Sequence, residues 1–177
     1  MREHHLYMKV RLALLAMVAC VAGARTLHAA TATTTFTVTA SVSANCTITA
    51  TGINFTYDPI SANATTAASA TGSVTIACTK GSGPSIGLNA GNHAGAVGGV
   101  TRAMANGTNL LGYELYQPAA APGNGGVWTD IGGANPLNAG ASPSKASRTY
   151  TVSGSVPAGQ DVAVGNYSDT ITATVNF

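Results

Sequence analysis

Apolar and polar residues alternate along TTTFTVTASV, residues 33–42. Phe36, Val38, Ala40 and Val42 fall on one side of an extended chain, with Thr35, Thr37, Thr39 and Ser41 on the other. A period of two is the pattern of a half-buried β-strand. Strand-like runs recur downstream: CTITATGINF (46–55), SVTIAC (73–78), SIGLNA (85–90), LLGYELYQ (110–117), RTYTVSGSV (148–156) and YSDTITATVNF (167–177). Turn-rich stretches separate them, such as GNHAGAVGG (91–99), PAAAPGNGG (118–126) and NPLNAGASPSK (135–145). None is long or charged enough to read as an interdomain linker. No sustained i, i+3, i+4, i+7 spacing occurs, and Gly, Pro, Asn and Thr interrupt every window of helical length. Short strands at this spacing predict an all-β sandwich.

The two outermost strands raise a question of partners. In YSDTITATVNF, Tyr167, Ile171, Ala173, Val175 and Phe177 share one face, and Thr170, Thr172, Thr174 and Asn176 the other. A terminal strand with this pattern has no following residues to cover its flank. It also lacks the charges or proline that discourage pairing with another chain. The alternating segment 33–42 is equally in need of a groove, either in its own molecule or in another copy.

The first thirty residues read as a secretory leader. Arg2, Lys9 and Arg11 make a basic n-region, and LALLAMVACVAGA runs from Leu12 to Ala24. That apolar run is too short for a membrane span of about 20 residues and suits an h-region. Small-residue cleavage sites end at Ala24 and Ala30, so cleavage is expected between residues 24 and 30. The alternative is a membrane anchor. A mature chain of about 147 residues is long enough for one domain with its own core.

Removing the leader changes the charge balance. From residue 31 the basic residues are Lys80, Arg102, Lys145 and Arg148, against the acidic Asp58, Glu114, Asp130, Asp161 and Asp169. The overall formal charge of +2 therefore comes from the leader. No basic patch with interleaved aromatics remains to read as a nucleic-acid surface.

Cys46 and Cys78 are the cysteines left after cleavage, and in an exported chain the simplest expectation is one disulfide. Closing that loop is worth roughly 3–4 kcal/mol by loop entropy. A zinc site needs further ligands, and His93 is the only mature histidine. No metal or other cofactor is expected.

Signals for catalysis are thin. Gly83-Pro84-Ser85-Ile86-Gly87 fits G-x-S-x-G, but that elbow needs a strand before it and a helix after it, and Leu88–Gly99 has no helical period. Nothing in the spacing brings His93 to Ser85 or to a carboxylate. An exported hydrolase is thus the weakest alternative, and no enzymatic activity or small-molecule substrate is expected. The aromatics Tyr57, Tyr113, Tyr116, Trp128, Tyr150 and Tyr167 fit core and inter-strand packing better than a sugar-binding face.

A set of short motifs in order carries a family resemblance. They are Asn45-Cys46-Thr47-Ile48, Ile53-Asn54-Phe55 with Tyr57, Thr71 to Cys78, and Arg102-Ala103-Met104. Tyr113-Glu114-Leu115-Tyr116, Trp128, Val152 to Gln160 and Gly165 to Thr170 follow. From about Thr31 to Phe177 the chain resembles the spore coat protein U domain family, the subunits of archaic (Csu-type) chaperone–usher pili. The resemblance implies an immunoglobulin-like sandwich lacking one strand and completed by donor-strand exchange. Residues 31–42 would be the donor segment, with Phe36, Val38, Ala40 and Val42 inserting. Residues 43–177 would be the body, with Tyr167, Ile171, Ala173, Val175 and Phe177 bordering the acceptor groove. The implied partners are a periplasmic chaperone, an outer-membrane usher and other pilins, including copies of itself. The implied role is a surface fibre for adhesion and biofilm formation. The rival reading is a secreted monomeric coat protein or lectin-like sandwich.

A mature surface with so few charges suits close packing against other copies. Assembled protein exposed to trypsin is expected to stay intact at Lys80, Arg102, Lys145 and Arg148. Rapid cleavage at several of these, read by mass spectrometry, would contradict that packing.

Overall fold

The computed structural model describes residues 29–118 and 126–177. The predicted leader lies outside the described residues except for its last two. The chain divides into two units, Met1–Ala40 and Ser41–Phe177.

Of the first unit, residues 29–40 carry no helix, strand or turn, and all are exposed. Phe36 is 85 % exposed and Val38 82 %. The period-two pattern of residues 33–42 therefore does not produce a strand here. Alternation prepares a segment for a ladder, but a strand exists only where a neighbour supplies the hydrogen bonds. Ser41–Asn45, which open the second unit, are likewise irregular, and Val42 is 83 % exposed.

Among the described residues the second unit contains eight strands: β1 (Cys46–Thr51), β2 (Ala68–Cys78), β3 (Ser85–Leu88), β4 (Arg102–Asn106), β5 (Asn109–Tyr116), β6 (Leu137–Asn138), β7 (Arg148–Val156) and β8 (Ala173–Asn176). They form a five-stranded sheet in the order β1-β2-β7-β5-β4 and a three-stranded sheet in the order β6-β3-β8. Every pairing is antiparallel. The all-β expectation holds, and β7 begins and ends where its sequence pattern does. The strand expected from Cys46 through Phe55 stops at Thr51, yet burial keeps alternating beyond it. Ile53, Phe55 and Tyr57 are half-buried while Asn54 and Thr56 are exposed. β4 has no apolar alternation to announce it; it exists because a two-residue turn returns it onto β5, pairing Asn106 with Asn109. The last strand is shorter than its pattern: Asp169 is engaged by the Asn92 amide and the Tyr113 hydroxyl, and Thr172 donates its amide to the Asn89 side chain in place of the Asn89 carbonyl.

Apolar side chains of the two sheets meet in a core of Val74, Ile76, Ile86, Leu88, Leu115, Trp128, Val152 and Val156, each at most 4 % exposed. On the outer side of the large sheet the alternate residues are hydroxylic. The register aligns Thr49, Thr75 and Thr149 in one row and Thr51, Ser73 and Thr151 in the next. Within these rows Thr75 Oγ1 lies 2.9 Å from Thr149 Oγ1, and Thr51 Oγ1 2.9 Å from Ser73 Oγ.

Two covalent or ionic ties reinforce the packing. Cys46 and Cys78 are disulfide-bonded, and they face each other as the first residue of β1 and the last of β2. Arg102, buried at the start of β4, reaches out of the large sheet to the other side of the sandwich. Its Nη2 donates to the carbonyls of Leu88 at 3.0 Å and Trp128 at 2.6 Å, and its Nε donates to Asn89 O at 2.9 Å. Its charge is balanced by Glu114 at 3.4 Å. Glu114 in turn accepts from the Thr101 amide and, at 2.8 Å, from the Thr101 hydroxyl. Burial pulls the Arg102 guanidinium below its ordinary pKa, an effect opposed by the adjacent Glu114 carboxylate. Trp128 completes the tie by donating its indole N–H to Ile86 O at 2.8 Å.

Removing one partner of a buried ion pair leaves the other uncompensated, at a cost of about 3–5 kcal/mol. Arg102→Met is therefore expected to lower the stability of residues 31–177 by that amount in urea denaturation. A change within about 0.5 kcal/mol, the range of an ordinary surface substitution, would show that the tie contributes nothing.

Candidate functional site

β8 is hydrogen-bonded on one side only. Its register with β3 pairs Val175 with Ile86 and Ala173 with Leu88. The next pair is Asn89 with Thr172, where the Asn89 amide donates to Thr172 O at 3.1 Å, whereas the Leu88 amide turns away to Thr129 O. In an antiparallel ladder the direction alternates. The backbone groups of Thr172, Thr174 and Asn176 thus point to β3, and those of Ile171, Ala173 and Val175 point the other way. Among the described residues no strand receives them there. The large sheet ends similarly at β1, which pairs only with β2.

Where the chain continues beyond β1 and where it approaches β8, the sandwich is open. A groove runs there as two hollows of about 480 and 500 Å³ that share Ile53, Asn54, Phe55, Met104 and Tyr167 in their walls. One wall is the continuation of β1 from Ala50 to Pro59; the other runs from Ala173 back to Val162. The walls are antiparallel, since Ala50–Phe55 faces Ala173–Tyr167 while Tyr57 and Pro59 face Val162–Gly165. Val74, Leu88, Leu115 and Val152 form the floor, so the groove opens directly onto the core.

Local chemistry sets the shape of each wall. Phe55 lies over β7 because residue 154 is glycine: a Cβ there would sit 2.5 Å from Phe55 Cζ. Tyr57 is held by donating its hydroxyl to Pro157 O at 3.0 Å and accepting from the Gln160 amide at 2.9 Å. On the other wall Asp169 is the one carboxylate lining the groove. Its Oδ2 accepts from the Tyr113 hydroxyl at 2.7 Å, and its Oδ1 accepts from the amides of Asn92 at 2.9 Å and Thr170 at 2.8 Å. Burial and this hydrogen bond push the Tyr113 phenol pKa up, which keeps the donor protonated. Gly91, at φ 74°, leaves the space the carboxylate occupies; a Cβ would come within 2.0 Å of Asp169 Oδ2. Asp169 is thus consumed in orienting the approach to β8, and the surface left for a ligand combines apolar side chains, the polar side chains of Thr51, Asn54, Ser73, Asn166 and Ser168, and the free backbone groups of β8.

Of the sequence-predicted residues, Tyr167, Ile171 and Ala173 line the groove. Val175 is half-buried opposite Ile86, and Phe177 is 52 % exposed at the chain end. Phe36, Val38, Ala40 and Val42 are all exposed. The opposite wall, Ile53, Phe55 and Met104, was not predicted as a site, although Ile53-x-Phe55-x-Tyr57 carries the same period-two signal as the strands. Ser85 lies inside β3, paired with Asn138 and Asn176, and not at a strand-to-helix turn. His93 belongs to the turn-rich stretch after β3. Trp128, Tyr113 and Tyr116 are buried, which places them in packing roles.

Comparison with known proteins bears on this geometry. No curated protein sequence matches the chain. Among solved structures it resembles one described as the CsuC–CsuE chaperone–tip adhesion subunit pre-assembly complex from archaic chaperone-usher Csu pili of Acinetobacter baumannii. The TM-score is 0.52 at 23% identity, over 77% of this chain and 41% of that one. The likeness is one of fold, an immunoglobulin-like sandwich. The Hda pilus minor tip subunit of E. coli, HdaB, is more distant, with a TM-score of 0.32 at 18% identity over 74% of this chain and 79% of that one. At the level of sequence, the Spore Coat Protein U domain matches residues 32–174, from the start of the exposed alternating segment through β8's second residue. With the fold and this match in agreement, the chain belongs to the spore coat protein U domain family.

Proposed function

We propose that the protein is a structural subunit of a chaperone–usher pilus and that it polymerises by donor-strand complementation. The observation that carries this reading is the pairing of two incomplete features in one chain. A groove open to the core borders β8, and an N-terminal segment with alternate apolar residues stays exposed. The segment from Thr31 to Val42 of one copy would lie in the groove of another. At about 3.3 Å per residue it spans roughly 40 Å, close to the roughly 36 Å of Tyr167–Phe177. The donated strand is expected to run antiparallel to β8, and therefore parallel to the facing wall, and to take up the free groups of Ile171, Ala173 and Val175.

Apolar burial and main-chain pairing supply the drive for the exchange. Burying Phe36, Val38 and Val42 contributes roughly 1.5–3 kcal/mol each, and each ladder hydrogen bond a further 0.5–1.5 kcal/mol net. Ordering the strand costs about 1–2 kcal/mol per residue. Ala40 fills little volume and would need only a shallow pocket. Main-chain pairing supplies strength and the alternate side chains supply register, as in β-strand addition generally. A periplasmic chaperone would cover the groove during export, an outer-membrane usher would catalyse replacement by the next subunit, and the fibre would act in adhesion and biofilm formation at the cell surface.

Two measurements test this. Phe36→Asp in residues 31–177 is expected to abolish polymer formation by size-exclusion chromatography without unfolding the body. A synthetic peptide of residues 31–42 is expected to raise the melting temperature of residues 43–177 by at least about 5 °C, given roughly 2–4 °C per kcal/mol for a domain of this size. A body that is equally stable with and without the peptide, together with unimpaired polymerisation of the Phe36→Asp protein, would rule the mechanism out.

A further inference from the structure

After the expected leader, sulfur occurs only in Cys46, Cys78 and Met104. The cysteines are already joined, so Met104 is the one sulfur there still open to a mild oxidant. Its place in the fold is particular. β4 is the outer strand of the large sheet, and Met104 sits at its centre, paired with Leu111. The next residue, Ala105, bridges to Ser168: its amide donates to Ser168 O at 2.9 Å, and its carbonyl accepts from the Ser168 amide at 3.1 Å. That bridge sets β4 against the wall leading to β8. Met104 is half-buried and lines both hollows of the groove. It is the only strand residue among those the hollows share, so a segment lying along the groove crosses it where they join. A thioether on a flexible, unbranched stem also suits a surface that must fit more than one occupant.

We infer that Met104 is a reversible oxidation site that closes the groove to an incoming strand, with a peroxide as the oxidant. The inference rests on the donor-strand reading above. The sulfur attacks one peroxide oxygen: an S–O bond forms, the O–O bond breaks, and two electrons pass from sulfur to the peroxide. The departing oxygen takes a proton and leaves as water, and Met104 becomes the sulfoxide. An apolar side chain is thereby made polar at the middle of the groove. In the open groove water satisfies the new oxygen. A docked strand displaces that water and offers no donor in exchange, because its N–H groups lie in the plane of the sheet and its inward side chains are apolar. Asp169 and Tyr113, which also line the groove, already hydrogen-bond to each other. The coupling runs both ways, since a strand already in place covers the sulfur and slows its oxidation. A filled groove is thus protected, and an empty one is disabled until the sulfoxide is reduced.

The test uses the Phe36→Asp protein of residues 31–177, whose own segment is disabled, and a labelled peptide of residues 31–42, which contains no sulfur. Hydrogen peroxide is applied and then removed with catalase, and peptide binding is read by fluorescence anisotropy. Peroxide is expected to add one oxygen, localised by tandem mass spectrometry to Met104 in the tryptic peptide 103–145. Peptide affinity is expected to fall by about fivefold or more, the cost of one unsatisfied buried acceptor. Methionine sulfoxide reductases A and B together, one for each epimer, are expected to restore it. Peptide bound beforehand is expected to slow the oxidation. With Met104→Leu added, the affinity, whatever its starting value, is expected not to move with peroxide. Equal affinity before and after full conversion of Met104, or an equal loss in the Met104→Leu protein, would overturn the inference. So would a Met104 that resists peroxide in the open groove, or a loss of binding that accompanies unfolding in near-UV circular dichroism. Failure of the untreated protein to take up the peptide is a different result: it removes the donor-strand reading and this inference with it.

Discussion

A strand edge left without a partner carries backbone N–H and C=O groups that must be satisfied somewhere. That constraint governs this protein. The free edge of β8 and its approach face the continuation of β1 across a common opening, and the floor of that opening is the hydrophobic core itself. An ordinary edge strand exposes only backbone; here the same gap also leaves Leu88, Leu115 and Val152 one layer from solvent. Polar and apolar demands therefore coincide in one place. An alternating β-segment meets both at once, because it offers hydrogen bonds along its length and an apolar side chain at every second position.

A sandwich open along one seam has to be held together elsewhere. Arg102 does this by binding three carbonyls, of Leu88, Asn89 and Trp128, that lie across the core from its own strand. A backbone carbonyl cannot move away without disturbing its element, so a guanidinium with several such acceptors locks the spacing of the sheets. Glu114 makes this burial tolerable by balancing the charge. Asp169 plays a comparable part beside the groove, tying Tyr113 and the Gly91–Asn92 turn to the approach of β8. Both devices place rigidity next to the opening, and a preformed groove limits the entropy lost when it is filled.

The backbone entering β1 is anchored with similar care. The disulfide ties Cys46, the first residue of the edge strand, to the end of β2. Thr79 adds to this: its amide donates to Asn45 O at 2.9 Å, and its hydroxyl accepts from the Asn45 amide at 3.1 Å. An edge strand with one neighbour frays easily, and covalent closure at its first pair prevents that where the chain enters the body.

What the sequence determined alone is whatever depends on local periodicity and composition. The period of two in β7 and the absence of helical spacing required an all-β fold, and the two cysteines that follow the expected leader required little more to pair. The apolar face of Tyr167, Ile171 and Ala173 was legible for the same reason, as was the apolar side of the segment carrying Phe36 and Val38. Tertiary structure decided which strands neighbour which, and that choice is non-local. β4 has no pattern of its own and exists through pairing with β5. Residues 33–42 have an ideal pattern and form no ladder. The far wall of the groove, with Ile53 and Phe55, becomes a wall only because the continuation of β1 comes to face the approach to β8, with no strand between them among the described residues. Alternation states which side of a strand is apolar; only the packed fold determines whether a partner stands beside it.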